Sequence, residues 1–389
     1  MTGSQTGFER RVQTALEAAP SRIPVILGGC GSGRTFLLQR LRERAGRGAA
    51  QYIDVERCAT TPERFLDAVL GSSPFPPVGR PEGTRPPATA REAFDTVLAF
   101  IDTARAPGGE PCTFLFDEVL ELRTFESFPG LRHVLRDLLE ALAGSANRFV
   151  LSTRYVARAH RLLRDASARF EVMHVPALAA ADVVDILAPA FNGYEQMATD
   201  DRDYLGRAVQ ALTDGRAAYV RAIGDAMARM NTRVGDPISA LTALLATDGA
   251  LTHWCRFSYE LRLHRARGYG ALKAILDILA EEEPLTLTEI SHRLHRTPGS
   301  TKDYLSWLED VDLVTSRQKR YSFTDPLLRL YVRLHCRPVP PGEDDVVREV
   351  QRYAIGRVPQ PEPAAALAYA GPIEATAEER KSWGIIEID

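Results

Sequence analysis

The sequence predicts an α/β domain built on a parallel sheet, then a helical lid, then a winged helix-turn-helix domain. Three observations predict this order. An apolar strand, a glycine-rich turn and a helix follow one another over residues 23 to 45. Strand and helix patterns then alternate up to residue 178, as expected of a parallel sheet covered on both faces. From residue 268 the pattern becomes helix, helix-turn-helix and two-stranded hairpin. The expected domains are 1–178 (α/β core), 179–265 (lid), 266–340 (winged helix-turn-helix) and 341–389 (tail).

The run Ile23-Pro24-Val25-Ile26-Leu27 is apolar throughout and reads as a buried strand. Gly28, Gly29, Cys30, Gly31, Ser32, Gly33, Arg34 and Thr35 follow it. They fit the phosphate-loop pattern G-x-x-x-x-G-K-[ST] at every fixed position but one, because Arg34 stands where lysine belongs. The glycines let successive backbone N–H groups face inward. The helix that follows, carrying Phe36, adds the partial positive charge of its N-terminus. Thr35 would offer a hydroxyl to a magnesium ion. A plain surface turn is the alternative, and the flanking strand and helix argue against it. No G-x-G-x-x-G register fits Gly28 to Gly33, so a dinucleotide fingerprint is excluded.

A second βα unit follows, with a strand over 51–55 and a helix over 62–70. Residues 71–90 are rich in proline and glycine and read as a surface insertion, with a lid or a contact site as the alternative. Helices are expected over 91–106 and 131–143. Between them, Thr113-Phe114-Leu115-Phe116 is a strand that ends in Asp117 and Glu118. In phosphate-loop ATPases the first carboxylate holds magnesium through water and the second polarises the attacking water. A solvated acidic turn is the alternative. The strand 148–154 ends in Ser152, Thr153 and Arg154. Either hydroxyl could bond the attacking water or the terminal phosphate. Arg154 is either a bidentate phosphate donor or a solvated residue opening the next helix. Arg169, before the strand FEVMHV, is either a surface ion-pair partner or a finger acting in trans across a homo-oligomer interface.

The lid reads as four amphipathic helices, 180–187, 202–212, 216–230 and 237–245. Arg216, after Asp214-Gly215, either swings onto a bound nucleotide or faces solvent. In the carboxyl domain, helices are expected over 271–281, 287–294 and 301–311, with Thr286 and Glu289 forming a capping box. Thr297 to Ser300 is expected to break the chain. A hairpin with the basic tip Arg317, Lys319 and Arg320 follows. As a DNA reader this domain would turn Ser300, Thr301, Lys302 and Ser306 to a groove, with the three wing cations on phosphates. Glu309, Asp310 and Asp312 place negative charge nearby, and a protein-docking or autoinhibitory role is the alternative. The tail holds one helix, 344–353, and an acidic end from Glu374 to Asp389.

Composition sets outer bounds. A chain of 389 residues with 45% hydrophobic and 25% charged residues has ample core for two or three domains. The net charge of -3 gives no global basic signature, so nucleic-acid binding needs a local patch. Five scattered cysteines suggest neither a zinc site nor a disulfide framework and fit a reducing cytoplasm. The N-terminus has no secretory pattern, and no apolar run approaches the ~20 residues of a membrane span.

Taken together, GGCGSGRT, TFLFDE, LSTR and KRYSFTDPLLRLYVRL resemble the signal-transduction (STAND) branch of AAA+ P-loop ATPases, closest to archaeal and bacterial ATPases with a carboxyl-terminal winged helix. The resemblance covers residues 5 to 340. It implies an ATP- and Mg2+-dependent conformational switch, with Asp117 on the metal, Glu118 on the water, and Ser152, Thr153 and Arg154 as a first sensor. It also implies a helix that starts after Asp325-Pro326 and closes the wing. The family's lid motif G-x-P is met here by Gly215-Arg216-Ala217, which lacks the proline. Arginine is longer and planar, so Arg34 keeps the charge for binding while its bulk is expected to slow hydrolysis. Two alternatives stand: a nucleotide-binding or inactive scaffold acting as a transcriptional regulator, and an origin-recognition-like DNA loader with the same domain order.

Overall fold

A computed structural model describes residues 3–75, 87–191, 198–230 and 236–359. Most of the expected insertion at 71–90 and the acidic end of the tail lie outside these residues. The core runs α1 (Gly3–Glu17), β1 (Ile23–Leu27), α2 (Arg34–Ala45), β2 (Ala50–Asp54), α3 (Val55–Cys58), α4 (Pro62–Gly71), α5 (Ala90–Thr103), β3 (Thr113–Asp117), a 3-10 segment Val119–Ser127, α6 (Val134–Gly144), β4 (Arg148–Thr153), α7 (Val156–Leu163) and β5 (Phe170–His174). The five strands form one parallel sheet in the order β2-β3-β4-β1-β5. Every residue of β1 and β3 is buried, because helices cover both faces. Phe65, Phe94, Phe114, Phe125 and Phe149 fill one face, and Phe8, Val12, Leu38 and Leu41 from α1 and α2 fill the other.

β4 lies between β1 and β3, although the chain visits it last of the three. The carboxyl ends of β1, β3 and β4 therefore stand side by side. This order lines up three motifs far apart in sequence: the glycine loop, Asp117-Glu118 and Ser152-Thr153-Arg154.

The lid comprises α8 (Ala180–Leu187), α9 (Thr199–Thr213), α10 (Ala217–Arg229), α11 (Pro237–Leu245) and α12 (Ala250–Arg265). α12 has no counterpart in the helices expected from the sequence. Its buried face alternates apolar Leu251, Cys255, Tyr259 and Leu263 with polar Thr252, Ser258 and Arg262, which blurs the amphipathic stripe. Gly215 has φ 63°, and a Cβ there would stand 2.6 Å from the Leu178 carbonyl oxygen, so the turn into α10 requires glycine.

The carboxyl region runs α13 (Tyr269–Glu281), β6 (Leu285–Thr286), α14 (Leu287–Leu294), α15 (Pro298–Asp310), β7 (Val314–Arg317) and β8 (Arg320–Phe323), with the antiparallel sheet order β6-β8-β7. This is a winged helix-turn-helix. The Thr286–Glu289 capping box is present. The stretch expected to break the chain instead starts α15: Thr297 caps it and Pro298 occupies its first turn. The hairpin turns at Gln318 and Lys319, both with φ > 0, at 52° and 63°. α16 (Pro326–His335), capped by Asp325, and α17 (Glu343–Ile355) are the last helices among the described residues. α16 has two buried faces. Leu328, Tyr331 and Val332 join the winged-helix core, while Leu327, Leu330 and Leu334 join the lid with Val346 and Val350 of α17.

Candidate nucleotide site

The chain enters α2 through Gly33, whose φ of 96° gives the loop its final turn. At the β3 tip, Asp117 is buried and surrounded by hydroxyls. Thr35 Oγ1 donates to its Oδ2 at 2.6 Å, Tyr52 Oη donates to the same oxygen at 2.9 Å, and Ser152 Oγ donates to Oδ1. No cationic side chain pairs with Asp117 among the described residues. A buried carboxylate in contact with a threonine hydroxyl and lacking a counter-charge fits a divalent cation. Thr35 and Asp117 are the residues that would hold magnesium.

Glu118, one residue on, is arranged differently. Its backbone is left-handed, with φ 56°, a conformation that costs a non-glycine residue about 1–3 kcal/mol. Its Oε1 lies 2.5 Å from Arg34 Nη2 and 3.0 Å from Arg154 Nε, and its Oε2 accepts from the Arg154 backbone N–H at 3.0 Å. All three side chains are buried. Burial works against the charge on Glu118, but Arg34 and then Arg154 outweigh it and hold the carboxyl below its usual range. Arg34 also donates to the Gly29 carbonyl at 2.8 Å, so it is folded back along the loop. Arg154 pairs with Glu56 as well. It is therefore not the solvated helix-opening residue that the sequence allowed. Thr153 is fully buried and its Oγ1 accepts from the Tyr155 N–H at 3.2 Å, so it caps the following turn and does not face the loop.

Arg216 is tied in and not solvated. It donates to the Cys30 carbonyl at 2.8 Å, to Asp325 Oδ2 at 3.0 Å and to the Thr324 carbonyl at 2.6 Å. Tyr219 Oη donates to the same Asp325 oxygen at 2.6 Å, and the Ala218 N–H donates to the Gly31 carbonyl at 3.0 Å. The loop, the lid and the exit of the wing thus meet through one arginine. Beside Gly33 a cavity of about 290 Å³ is lined by Phe36, Ile186, Ala217, Asp185, Arg40 and Arg221. Phe36 is 42% exposed, and the Arg221 and Arg40 guanidiniums lie 5.1 Å and 5.9 Å from its centroid. A separate cavity of about 400 Å³, between Tyr155, Arg158, Arg265, Trp307 and Asp310, lies away from the loop.

Two expectations are corrected. Arg169 does not present a finger: its guanidinium donates to the carbonyls of Ser21, Ala143 and Ser145 and caps the end of α6 within its own chain. Thr301 cannot reach a groove, because it is fully buried and its hydroxyl donates to the Thr297 carbonyl. Lys302, Arg317, Lys319 and Arg320 are exposed and Ser300 is half-buried. Arg320 is partly engaged by the Pro284 carbonyl and Glu289. The acidic residues near the end of α15 turn inward: Asp310 pairs with Arg158 and Arg161 on α7, and Asp312 is buried near Arg262. Sequence reasoning missed Tyr52, Glu56, Tyr219 and Arg262, and it missed the contact of Asp325 with Arg216. Only Asp325 carried a local signal, its capping place before a proline.

A solved Walker-type ATPase of Pyrococcus abyssi is similar to this chain, with TM-score 0.64 and 18% identity over 85% of this chain and 95% of that one. A RuvB variant of Thermotoga maritima (TM-score 0.41, 12% identity, 86% and 96% covered) and the Aeropyrum pernix ORC1 protein in complex with DNA (0.42, 17%, 89% and 92%) are more distant. No family model matches the chain, and no curated protein matches it. With the sheet order and the glycine loop, the first likeness gives the class: this chain has the fold of a P-loop ATPase. No helix among the described residues is long and apolar enough to cross a membrane.

Proposed function

We propose that the protein binds ATP with magnesium and acts as a slowly hydrolysing switch of the AAA+/STAND type, passing the state of its loop to the winged helix. The contact of Thr35 with Asp117 at the mouth of the glycine loop carries this reading. The loop from Gly28 to Thr35 and the N-terminus of α2 receive phosphates, and the cavity over Phe36 receives the base. Magnesium would neutralise phosphate charge and shield the bond that breaks. Arg34 leaves Glu118 for phosphate when the triphosphate binds, because phosphate offers it more negative charge than one carboxylate does. Glu118, relieved of one arginine, orients the attacking water and takes its proton. Ser152 keeps Asp117 in place.

Slow turnover follows from the starting arrangement. Both oxygens of Glu118 are engaged, and each turnover must break a buried ion pair, which costs about 3–5 kcal/mol when one partner is removed outright. The same pair favours a second reading, a nucleotide-binding regulator that does not hydrolyse. Coupling runs through Arg216, which touches both the loop and Asp325 at the wing exit. The output surface is the exposed part of the winged helix, Lys302, Arg317 and Lys319, and its proposed partner is duplex DNA, with a protein partner as the alternative. Domain limits of 1–178, 179–265 and 266–340 are part of this proposal.

Calorimetric titration with ATP, with and without magnesium, tests the binding. No heat at millimolar ATP would leave only a scaffold. Arg34→Lys, whose shorter ammonium leaves Glu118 more easily, should raise single-turnover hydrolysis. Unchanged or lower turnover would favour the regulator.

A further inference from the structure

We propose that Cys30 is a redox-reactive thiol whose oxidation loosens the glycine loop from α12. Cys30 lies within the loop and is half-buried, with its sulfur turned toward α12. Its Sγ lies 3.5 Å from Ser258 Oγ on α12. Arg262 is one helical turn further on and shares that face. Arg262 is 1% exposed and donates from Nη1 to the Asp312 carbonyl at 2.7 Å. Its Nε and Nη2 are buried without a hydrogen-bond partner. Asp312 does not fill them, since its nearer carboxylate oxygen is 4.0 Å from Nη1 and is itself unpartnered.

A buried guanidinium with two unfilled donors is costly and calls for an anionic acceptor. The Cys30 sulfur, beside it, can become one. Arg34 and Arg154 add positive charge from the core, and Arg216 bonds the Cys30 carbonyl. The neighbours Tyr219 and Cys255 stay neutral, both pushed well above their usual range by burial. Burial alone would push the Cys30 thiol up, but Arg262, Arg154, the Ser258 hydrogen bond and Arg34 together hold it below its usual value. The other cysteines go the opposite way: burial pushes Cys58, Cys112 and Cys336 up to about 11.

The oxidant is a peroxide. The thiolate sulfur attacks one peroxide oxygen, the O–O bond breaks, and the departing hydroxide takes the proton of the new sulfenic acid to become water, leaving the sulfenate. Sulfur gives up two electrons and the peroxide receives them. The sulfenate oxygen accepts from Nε and Nη2 of Arg262. The oxygen needs room that the 3.5 Å contact between Cys30 and Ser258 does not leave, so the bonds to Arg262 form only as that contact opens and Arg262 leaves the Asp312 carbonyl. The loop then sits less firmly on α12. The further consequence, weaker ATP binding, rests on the nucleotide reading above.

The test uses the reduced full-length protein. Iodoacetamide labelling followed by peptide mass spectrometry gives the rate at each cysteine across pH. Cys30 should react at least about tenfold faster than Cys58 or Cys336 at pH 7, one pKa unit being tenfold in thiolate. Its rate should also persist to lower pH. Dimedone trapping after limited hydrogen peroxide should mark Cys30 first. Hydrogen exchange over residues 28–35 and 250–265 should then rise and return to its starting level with a thiol reductant. Cys30→Ser, whatever its starting affinity, should show no peroxide-dependent change in ATP binding or exchange. Arg262→Gln should slow Cys30 labelling, and the wild-type pH profile decides the point if that variant does not fold. Equal labelling of Cys30 and Cys58, or unchanged exchange after Cys30 is oxidised, would overturn the proposal. If the reduced chain binds no ATP while Cys30 reacts quickly and exchange rises, the nucleotide reading fails and the thiol assignment stands.

Discussion

Asp117 and Glu118 are neighbours in the chain and stand in opposite surroundings. Among the described residues, the Asp117 side of the β3 tip holds three hydroxyls, from Thr35, Tyr52 and Ser152, and no cationic side chain. The Glu118 side holds two buried guanidiniums, from Arg34 and Arg154. One carboxylate is ready to receive a cation, and the other already has two. The difference comes from pleating and one left-handed residue. The strand ends at Asp117, and the positive φ of Glu118 turns its side chain from the hydroxyl side to the arginine side. On the proposed function, binding and hydrolysis are thus separable: the metal side would bear on affinity, and the arginine side on turnover.

The largest effect should come from breaking the arginine side. Glu118→Gln should abolish turnover while ATP still binds, and should lower folding stability by about 3–5 kcal/mol because two buried guanidiniums lose their charge partner. Its pH dependence has a definite sign. The folded carboxyl lies below its unfolded value, so the stability it adds is complete above the unfolded pKa of about 4.3 and is lost as pH falls through the lower folded value. The gap in melting temperature between wild type and Glu118→Gln should be full at pH 7 and should shrink in acid below pH ~4. A gap independent of pH would show that packing, not charge, sets it.

Breaking the metal side should instead reach binding. Asp117→Asn should reduce the magnesium-dependent gain in ATP affinity by ~100-fold, the upper end of what outer partners of a metal cost, with little change in magnesium-free binding. Calorimetry at both conditions reads the difference directly. The wing offers a comparison of similar kind between free and engaged cations. Arg317 and Lys319 are exposed, whereas Arg320 is held by Pro284 and Glu289. Replacing all three with alanine should flatten the salt dependence of duplex binding by about two units rather than three. Anisotropy titrations across salt would show it, and a flat slope in the wild type would point to a protein partner. The smallest effect belongs to Tyr52, which reaches the metal only through Asp117. Tyr52→Phe should weaken the magnesium-dependent step by ~10-fold and leave turnover at saturation near wild type.

Much of this protein was legible in its sequence. The strands are short apolar runs bounded by glycine or by charge, the helices of the winged domain carry their own caps, and the phosphate loop is a local pattern. Such signals lie within a few residues of one another, so sequence alone determined the P-loop sheet, most of the lid helices, the capping box at Thr286 and the candidate roles of Thr35, Asp117 and Glu118. Long-range partners carry no such signal. That Arg34 faces Glu118 follows from β4 entering between β1 and β3, which brings together residues 84 positions apart. α12 escaped detection because its buried face is half polar, and it is polar because Ser258 meets the loop and Arg262 meets the Asp312 carbonyl. Thr301 read as a groove contact and Arg169 as a surface ion-pair partner or a finger, and each is used up by carbonyls that only folding supplies. Sequence sets which chemistry is available, because side-chain type and local spacing are properties of the chain. Tertiary structure decides which charges meet, because burial turns a solvated arginine into a partner that a carboxylate cannot easily leave.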